Sequence, residues 1–252
     1  AGETDERMIS LMDLGPTVMS LLGIEPPDHL DGKAFAGKHE QPPRKFIYGS
    51  ADRFDESTDM QRSVLDGRFV YVKNFMPELP LIYRNRYREQ IPMNKHLIEL
   101  NQAGELEGDA AYIFMPTKQK EELYDLQNDP SEVNNLANNP AYANKLILLR
   151  NQLYKWQKEI NDRGFEPESE IVNAFWPNMI QPITADVVIS TKSELTYLSS
   201  ETVGASIGYQ IGGNIGSKQW LLYSKPIQLK PNEKINARAI RIGYRASNIT
   251  TN

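Results

Sequence analysis

The chain has 252 residues, of which 40% are hydrophobic and 24% are charged, and its formal net charge is −5. This composition is ordinary for a globular protein, and the negative charge argues against a nucleic-acid-binding surface. No apolar run reaches the length of about 18 residues that a membrane span needs, and the absence of cysteine excludes disulfide bonds. The first residue is not methionine and residues 1–6 lack the apolar core of a signal peptide, so we expect a fragment or a processed product.

The first predicted elements are a strand and a helix. Residues 8–12 form a short apolar run that predicts a strand. Asp13 then suits the N-cap of a helix, with Pro16 tolerated in the first turn and Gly23 as the C-terminal stop. Four aliphatic residues recur at helical spacing and predict a stripe that faces a core: Leu14, Val18, Leu21 and Leu22.

A small antiparallel sheet is predicted in the next part of the chain. Residues 46–48, 63–65 and 68–73 favour strands. The dipeptide Asp66-Gly67 lies between the second and the third of these, and both residue types tolerate the positive φ of a tight hairpin turn. Residues 124–126 predict a further strand of the same sheet.

The segment from Asn74 to Pro116 is interrupted by prolines. Within it, residues 94–103 predict a helix that ends at Gly104. Arg84–Arg88 concentrates basic side chains next to tyrosines, so it is either an edge that binds polyanions or a solvated loop that stacks on its own tyrosines.

The clearest helix begins at Pro140 and is stopped by Gly164. Its apolar residues recur at steps of three and four. They form one stripe that we expect to face the core: Leu146, Leu149, Leu153, Trp156 and Ile160.

The segment 121–137 combines a strand with a turn. Asn128-Asp129-Pro130 predicts a tight turn. Asp129 is then suited to cap a helix, with Pro130 in its first position and Glu132 three residues on, as in a capping box. Nothing in this arrangement is catalytic, so we interpret it as a structural fastening.

Three motifs, in this order, carry a family resemblance: ISLMDLGPTVMSLLGI at 9–24, QRSVLDGRFVYV at 61–72 and ELYDLQNDPSEVNNLA at 122–137. Together they resemble the C-terminal part of sulfatases of the alkaline-phosphatase superfamily. The segment from Asn74 to Pro116 is most similar to the bacterial branch related to heparan N-sulfatase. The resemblance implies the C-terminal portion of an α/β sulfatase fold and a periplasmic, secreted or lysosomal location.

The resemblance also implies chemistry that these residues do not supply. Family sulfatases use a formylglycine hydrate made from a C/S-x-P/A-x-R motif, and a calcium ion held by Asp and Asn. The closest match, SKPIQ at 224–228, ends in Gln, and His29, His39 and His96 lack the spacing of metal ligands. We therefore expect no catalytic or metal-binding residue here, an inactive chain on its own, and a partner N-terminal catalytic region that precedes residue 1.

Residues 164–182 contain three prolines and no periodicity, so they predict a linker between a sulfatase part at 1–163 and a second domain at 183–252. The second domain alternates short strands with glycines and predicts a β-sandwich. It resembles the C-terminal β-domain of chitobiase and related hexosaminidases. Its aromatic residues Trp220, Tyr223 and Tyr209 form either a sugar platform or part of the core. The predicted fold class is α+β.

In the family fold, loops of the small sheet would face the substrate. The candidate substrate-binding residues are Arg53, Asp55 and Glu56, which follow a predicted strand, and Arg62, which begins the next. Arginine is suited to bidentate recognition of sulfate or carboxylate on a sulfated sugar. Alternatively, Arg53 forms a local ion pair with Asp55 or Glu56 that closes the loop.

The sequence thus favours part of a sulfatase that hydrolyses sulfate esters or sulfamates of sulfated glycans. A carbohydrate-binding or structural module that keeps sulfatase remnants but no activity is the alternative from another functional class. A phosphodiesterase of the same superfamily matches the motif at 122–137 less well.

Overall fold

The computed structural model describes residues 2, 5–54, 56–82, 84–212 and 219–252, which form two compact units, Ala1–Gly164 and Phe165–Asn252. Each unit combines helices with antiparallel sheet, which confirms the α+β class. None of the described helices has the length and apolar character that a bilayer crossing requires.

Helix α1 (Leu14–Leu21) opens the first unit and follows a 3-10 turn at Leu11–Asp13. The predicted strand at 8–12 is wrong, because no described strand pairs with this segment and an unpaired strand leaves its backbone groups without partners. Asp13 does not cap α1 with its side chain. Its carboxylate instead accepts hydrogen bonds from the Lys33 and Ser10 amides and from the Arg44 guanidinium.

The predicted core stripe of α1 is also wrong. Leu14, Val18, Leu21 and Leu22 are 50 to 71% exposed. The helix buries its opposite, polar side, where the Thr17 hydroxyl accepts a hydrogen bond from the Phe35 amide and the Ser20 hydroxyl accepts one from the His39 amide. Since the following loop covers only that side, nothing in the described chain covers the aliphatic side.

Four antiparallel strands form the predicted sheet in simple order: β1 (Ile47–Phe54), β2 (Ser57–Leu65), β3 (Phe69–Asn74) and β4 (Glu121–Asp125). The turn between β2 and β3 is the predicted Asp66-Gly67 hairpin. The Asp66 carboxylate accepts a 2.8 Å hydrogen bond from the Phe69 amide, and Gly67 has φ +94°, which favours glycine.

Helices α2 (Pro92–Ala103) and α3 (Gly108–Tyr112) lie between β3 and β4, and helix α4 (Ala143–Glu159) follows β4. Gly104 ends α2 in the left-handed conformation, φ +72°, as predicted. A 3-10 turn, Pro140–Tyr142, precedes α4. The predicted α4 stripe is confirmed in Leu146, Leu149 and Leu153, which are buried, whereas Ile160 lies past the helix end and is half exposed.

Alternation along the strands gives the sheet two different faces. The helix face packs on α4 and forms the core of the first unit, through Val64, Tyr71 and Leu123. Tyr48 on this face stacks on Trp156 of α4, with ring centroids 4.7 Å apart. The open face carries the alternate residues of the same strands.

The motif at 122–137 forms a fastening, but not the predicted helix start. Glu132 has φ +55°, which takes the chain out of helical geometry. The Asp129 carboxylate instead accepts hydrogen bonds from the Val133 and Asn134 amides. Asn135 then fastens this loop along β4, because its side chain bonds the Leu123 amide and the Glu121 carbonyl.

The second unit begins with helix α5 (Glu168–Phe175), which lies within the stretch that the sequence suggested as a linker. Trp176, just after α5, donates its indole N–H to the Gly243 carbonyl, so this stretch is bonded to the C-terminal part of the same unit. The boundaries suggested at 163 and 183 stay a prediction.

Seven strands, counted over the described residues 165–212 and 219–252, form two sheets in the second unit. One sheet has the order β11-β10-β7-β8 and the other β5-β6-β9, where the strands are β5 (Val188–Lys192), β6 (Leu195–Ser199), β7 (Ser206–Ile211), β8 (Leu221–Leu222), β9 (Ile227–Gln228), β10 (Ile235–Ile240) and β11 (Thr250–Thr251). Both sheets contribute to one apolar core, which includes Leu198, Ile207 and Ile235. This arrangement is the predicted β-sandwich. Tyr209 and Tyr223 pack against that core, which favours the core interpretation of these aromatic residues.

Candidate substrate-binding surface

The open face of the first unit's sheet is lined by small and polar side chains. Gly49, Ala51 and Ser63 form the floor of a shallow groove of about 220 Å³. A Cβ atom at Gly49 would lie 2.6 Å from the Ser63 hydroxyl oxygen, so a side chain there would require that hydroxyl to rotate away. Gln61 and Val72 line both this groove and a larger cavity next to it.

The larger cavity, here called the Glu122 cavity, has a volume of about 820 Å³. Strand residues form its floor, α3 covers one side, and the loop after β4 forms the rest of its rim. Its lining residues are Gln61, Val72, Leu81, Gly108, Asp109, Tyr112, Ile113, Gln119, Glu122, Tyr124, Ser131, Glu132, Val133, Asn135 and Asn138. The volume lies within the range of small-molecule sites.

Glu122 is the buried acid of this cavity, with only 6% of its surface exposed. One carboxylate oxygen accepts a 2.8 Å hydrogen bond from the Asn74 amide, and the other accepts a 3.1 Å bond from the Tyr124 hydroxyl. Burial raises the pKa of Glu122, against the opposing effect of these hydrogen bonds, because the charged form loses water. Burial likewise raises the pKa of Tyr112 and of Tyr124.

The β1–β2 hairpin tip carries the second group of candidate residues, here called the arginine edge: Arg53, Glu56 and the segment 84–88. The Glu56 carboxylate accepts a 3.1 Å hydrogen bond from the Arg86 amide. This bond lowers the pKa of Glu56. The Ser57 hydroxyl donates to the Arg84 carbonyl at 3.4 Å, so the hairpin tip and the basic segment lie together.

The arginines of this edge differ in how far they are engaged. The Arg86 side chain is 94% exposed, and its Nε lies 3.7 Å from the Glu56 carboxylate. Arg84 forms two hydrogen bonds with Glu89, at 2.5 and 2.8 Å. Arg53 is exposed and lies opposite Thr58 in the hairpin. Thus Glu56 pairs with Arg86, which the sequence did not predict. Asp55 and Tyr83 lie outside the described residues.

Arg62, the fourth predicted substrate-binding residue, serves the structure instead. Only 2% of it is exposed, and it forms hydrogen bonds of 2.8 and 2.9 Å with Asp162 and one of 2.7 Å with Asp52. These bonds hold the pKa of Asp162 well below its usual range. Its guanidinium is paired with two carboxylates. The structure therefore corrects the prediction that Arg62 contacts the substrate.

The sequence did not single out the Glu122 cavity. Glu122 and Tyr124 lie in the motif that predicted only a fastening, and their i, i+2 spacing was the available sign that both face the same side of the sheet. Among the described residues, no three His, Asp or Glu side chains come together as metal ligands. Where the calcium ion and the formylglycine implied by the family resemblance are held stays a prediction.

The chain is similar in sequence to known proteins. No family model matches the chain. It is 39% identical over 98% of its length to an ulvan-active sulfatase of Formosa agariphila, of which the match covers 42%, so both compact units take part in the match. It is also 30% identical over 64% of its length to the human N-sulphoglucosamine sulphohydrolase, covering 34% of that protein. The chain thus spans less than half the length of these relatives.

Two solved structures are also similar. A 2-O GAG sulfatase matches 60% of the chain with 25% of its own length, at 21% identity and a TM-score of 0.40. A protein solved in complex with its substrate D-glucosamine-2-N,6-O-disulfate matches 62% of the chain with 25% of its own length, at 19% identity and a TM-score of 0.39. The sequence relatives confirm the resemblance: the chain is similar to sulfatases over 98% of its length for the Formosa protein and over 64% for the human one.

Proposed function

We propose that this chain is the C-terminal part of a sulfatase that hydrolyses sulfate esters or sulfamates of sulfated glycans. The observation that carries the proposal is the 39% identity to an ulvan-active sulfatase over 98% of the chain. The chain has no C/S-x-P/A-x-R motif. The nucleophile, the formylglycine and the calcium ligands would therefore come from an N-terminal catalytic region, and no catalytic step is assigned to residues of this chain.

The exposed aliphatic side of α1 supports the existence of that partner region. Leu11, Val18, Leu21 and Leu22 are 86, 57, 65 and 71% exposed. A contiguous apolar surface of this kind marks a protein interface. More than half of the Formosa relative lies outside the match, so the occupant we propose is the region of the complete enzyme that corresponds to this remainder.

The arginine edge is the surface that we propose to contact the sulfated glycan. The exposed Arg86 presents a permanently charged planar guanidinium, whose paired N–H groups match two sulfate oxygens. The backbone beneath it is anchored, since Asn85 is buried and Glu56 holds the Arg86 amide. An anchored backbone reduces the entropy that binding would otherwise cost.

A chimaera tests the proposed activity. This chain would replace the matching 42% of the Formosa sulfatase, and sulfate release from ulvan oligosaccharides would be measured. The chain alone and the truncated relative alone are the controls. We expect release from the chimaera and none from either control.

The same assay distinguishes the sulfatase proposal from the alternative function. A carbohydrate-binding or structural module would leave the chimaera folded and able to retain ulvan, but without sulfate release. A folded, glycan-retaining and inactive chimaera would therefore contradict the sulfatase proposal and favour the module.

A further inference from the structure

We propose that the Glu122 cavity is a binding site for a sugar-sized, hydroxyl-rich ligand that carries no negative charge. This inference does not rest on the proposed sulfatase activity, because it concerns a concave site on the open face of the sheet. It also differs from the arginine edge in the chemistry of its lining.

The charges of the lining exclude anions. Three carboxyl groups line the cavity, those of Asp109, Glu122 and Glu132, and no lysine or arginine is among its lining residues. A sulfate or uronate group entering this space would meet carboxylates at short range, and repulsion would be strongest at Glu122, which is buried. A neutral or cationic ligand avoids this cost.

The hydrogen-bonding groups of the lining suit hydroxyls. Each Glu122 carboxylate oxygen has one protein donor, Asn74 or Tyr124, and an oxygen of this kind can accept a second hydrogen bond. Gln61, Gln119 and Asn138 add side chains that both donate and accept. Adjacent hydroxyls of a sugar ring require such a mixture, whereas a purely apolar ligand would shield these hydrogen-bonding groups from water without bonding to them.

The walls of the cavity are formed before a ligand arrives. The floor belongs to a hydrogen-bonded sheet, in which Val72 pairs with Glu122. On the rim, the Asp129 carboxylate accepts hydrogen bonds from the Val133 and Asn134 amides. Asn135 ties the same loop to β4. A pre-formed cavity of about 820 Å³ has room for more than one sugar ring.

Three probes that share one ring and differ in charge test the proposal on the full 252-residue chain. They are N-acetylglucosamine (neutral), glucosamine (cationic) and N-sulfoglucosamine (anionic), titrated into 15N-labelled protein. We expect saturable shifts of amides around the cavity with the first two, and a Kd at least about tenfold weaker for N-sulfoglucosamine. Equal or tighter binding of N-sulfoglucosamine, or no binding of any probe, would overturn the proposal.

Two variants locate the site. Glu122→Gln keeps the shape but removes the carboxylate, and Ser131→Trp fills the rim from an exposed position that does not threaten folding. Each should weaken binding of N-acetylglucosamine at least about fivefold. Glu159→Gln, an exposed change at the end of α4, is the matched control and should leave the Kd unchanged. Unaltered binding in both cavity variants would also overturn the proposal.

Discussion

The two faces of the four-stranded sheet are made from alternate residues of the same strands, yet their chemistry is opposite. On the helix face, aliphatic and aromatic side chains pack on α4, and the charged groups are engaged in ion pairs such as Arg68 with Asp125. On the open face, a mixture of polar and apolar side chains lines a cavity, and the acid at its floor, Glu122, is hydrogen-bonded to the neutral side chains of Asn74 and Tyr124. Strand alternation thus lets one side of the sheet form the core of the unit and leaves a groove and a cavity on the other side.

Breaking the ion pair between Arg62 and Asp162 is expected to cause the largest loss of stability. Arg62→Ala should lower the free energy of unfolding by about 3–5 kcal/mol, because Asp162 would keep a largely buried charge without its partner. Urea denaturation measures this loss. Arg86→Ala, which removes an exposed arginine, is the control and should change stability by less than about 0.5 kcal/mol. Equal effects of the two substitutions would contradict the structural role of Arg62.

Substitution of one leucine on each face compares how much the two faces contribute to stability. Leu149 of α4 is fully buried against the helix face, whereas Leu65 lies half-buried on the open face. Leu149→Ala should cost about 2–5 kcal/mol through lost burial and the cavity that remains. Leu65→Ala should cost clearly less in the same urea titration. The reverse order would mean that the open face is also a core surface.

Arg86, which we propose to contact the glycan, is tested by its effect on substrate binding. In an active chimaera, Arg86→Ala should raise KM for ulvan oligosaccharides about tenfold, equivalent to about 1.4 kcal/mol. Lys155→Ala removes an exposed charge on α4 and is expected to leave KM unchanged. If both variants raised KM alike, the effect would reflect overall charge rather than contact at the arginine edge.

The two faces should also respond to pH with opposite signs. Hydrogen bonding by Arg68 lowers the pKa of Asp125 to about 2, so the stabilisation from this carboxylate is present above its usual pKa and is lost as pH falls towards 2. Burial raises the pKa of Glu122, so the folded state binds this proton more tightly and stability falls as pH rises through the range between the two pKa values.

Denaturant midpoints from pH 2 to 7 check these signs. Asp125→Asn should remove part of the stability loss on acidification. Glu122→Gln should gain stability relative to the natural chain between acidic and neutral pH, because its amide has no charge to bury. Parallel pH profiles for the natural chain and Glu122→Gln would show that Glu122 is not desolvated.

Local patterns predicted the parts of the fold that depend on neighbours in sequence. The turn at Asp66-Gly67 and the leucine stripe of α4 are of this kind, since turn chemistry and helical period act over a few residues. The fate of Arg62 was not predictable in this way, because its partner Asp162 lies 100 residues away. Glu122 likewise became a cavity residue only because α3 and the loop after β4 cover part of the open face.

The stripe of α1 shows the other limit of sequence reasoning. Spacing alone indicated that Leu14, Val18 and Leu21 share a side of the helix, but it could not tell which surface covers them. In the described chain the polar side of α1 is the buried one, because Thr17 and Ser20 bind the backbone of the next loop. The same pattern therefore marks a proposed interface instead of an internal core.

Sulfate release from ulvan oligosaccharides by the chimaera is the most direct test of the central claim, that this chain works as part of a sulfatase. We predict release that depends on both the grafted chain and the remainder of the Formosa protein. A chimaera that folds cooperatively, as judged by a single unfolding transition, yet releases no sulfate would contradict the claim.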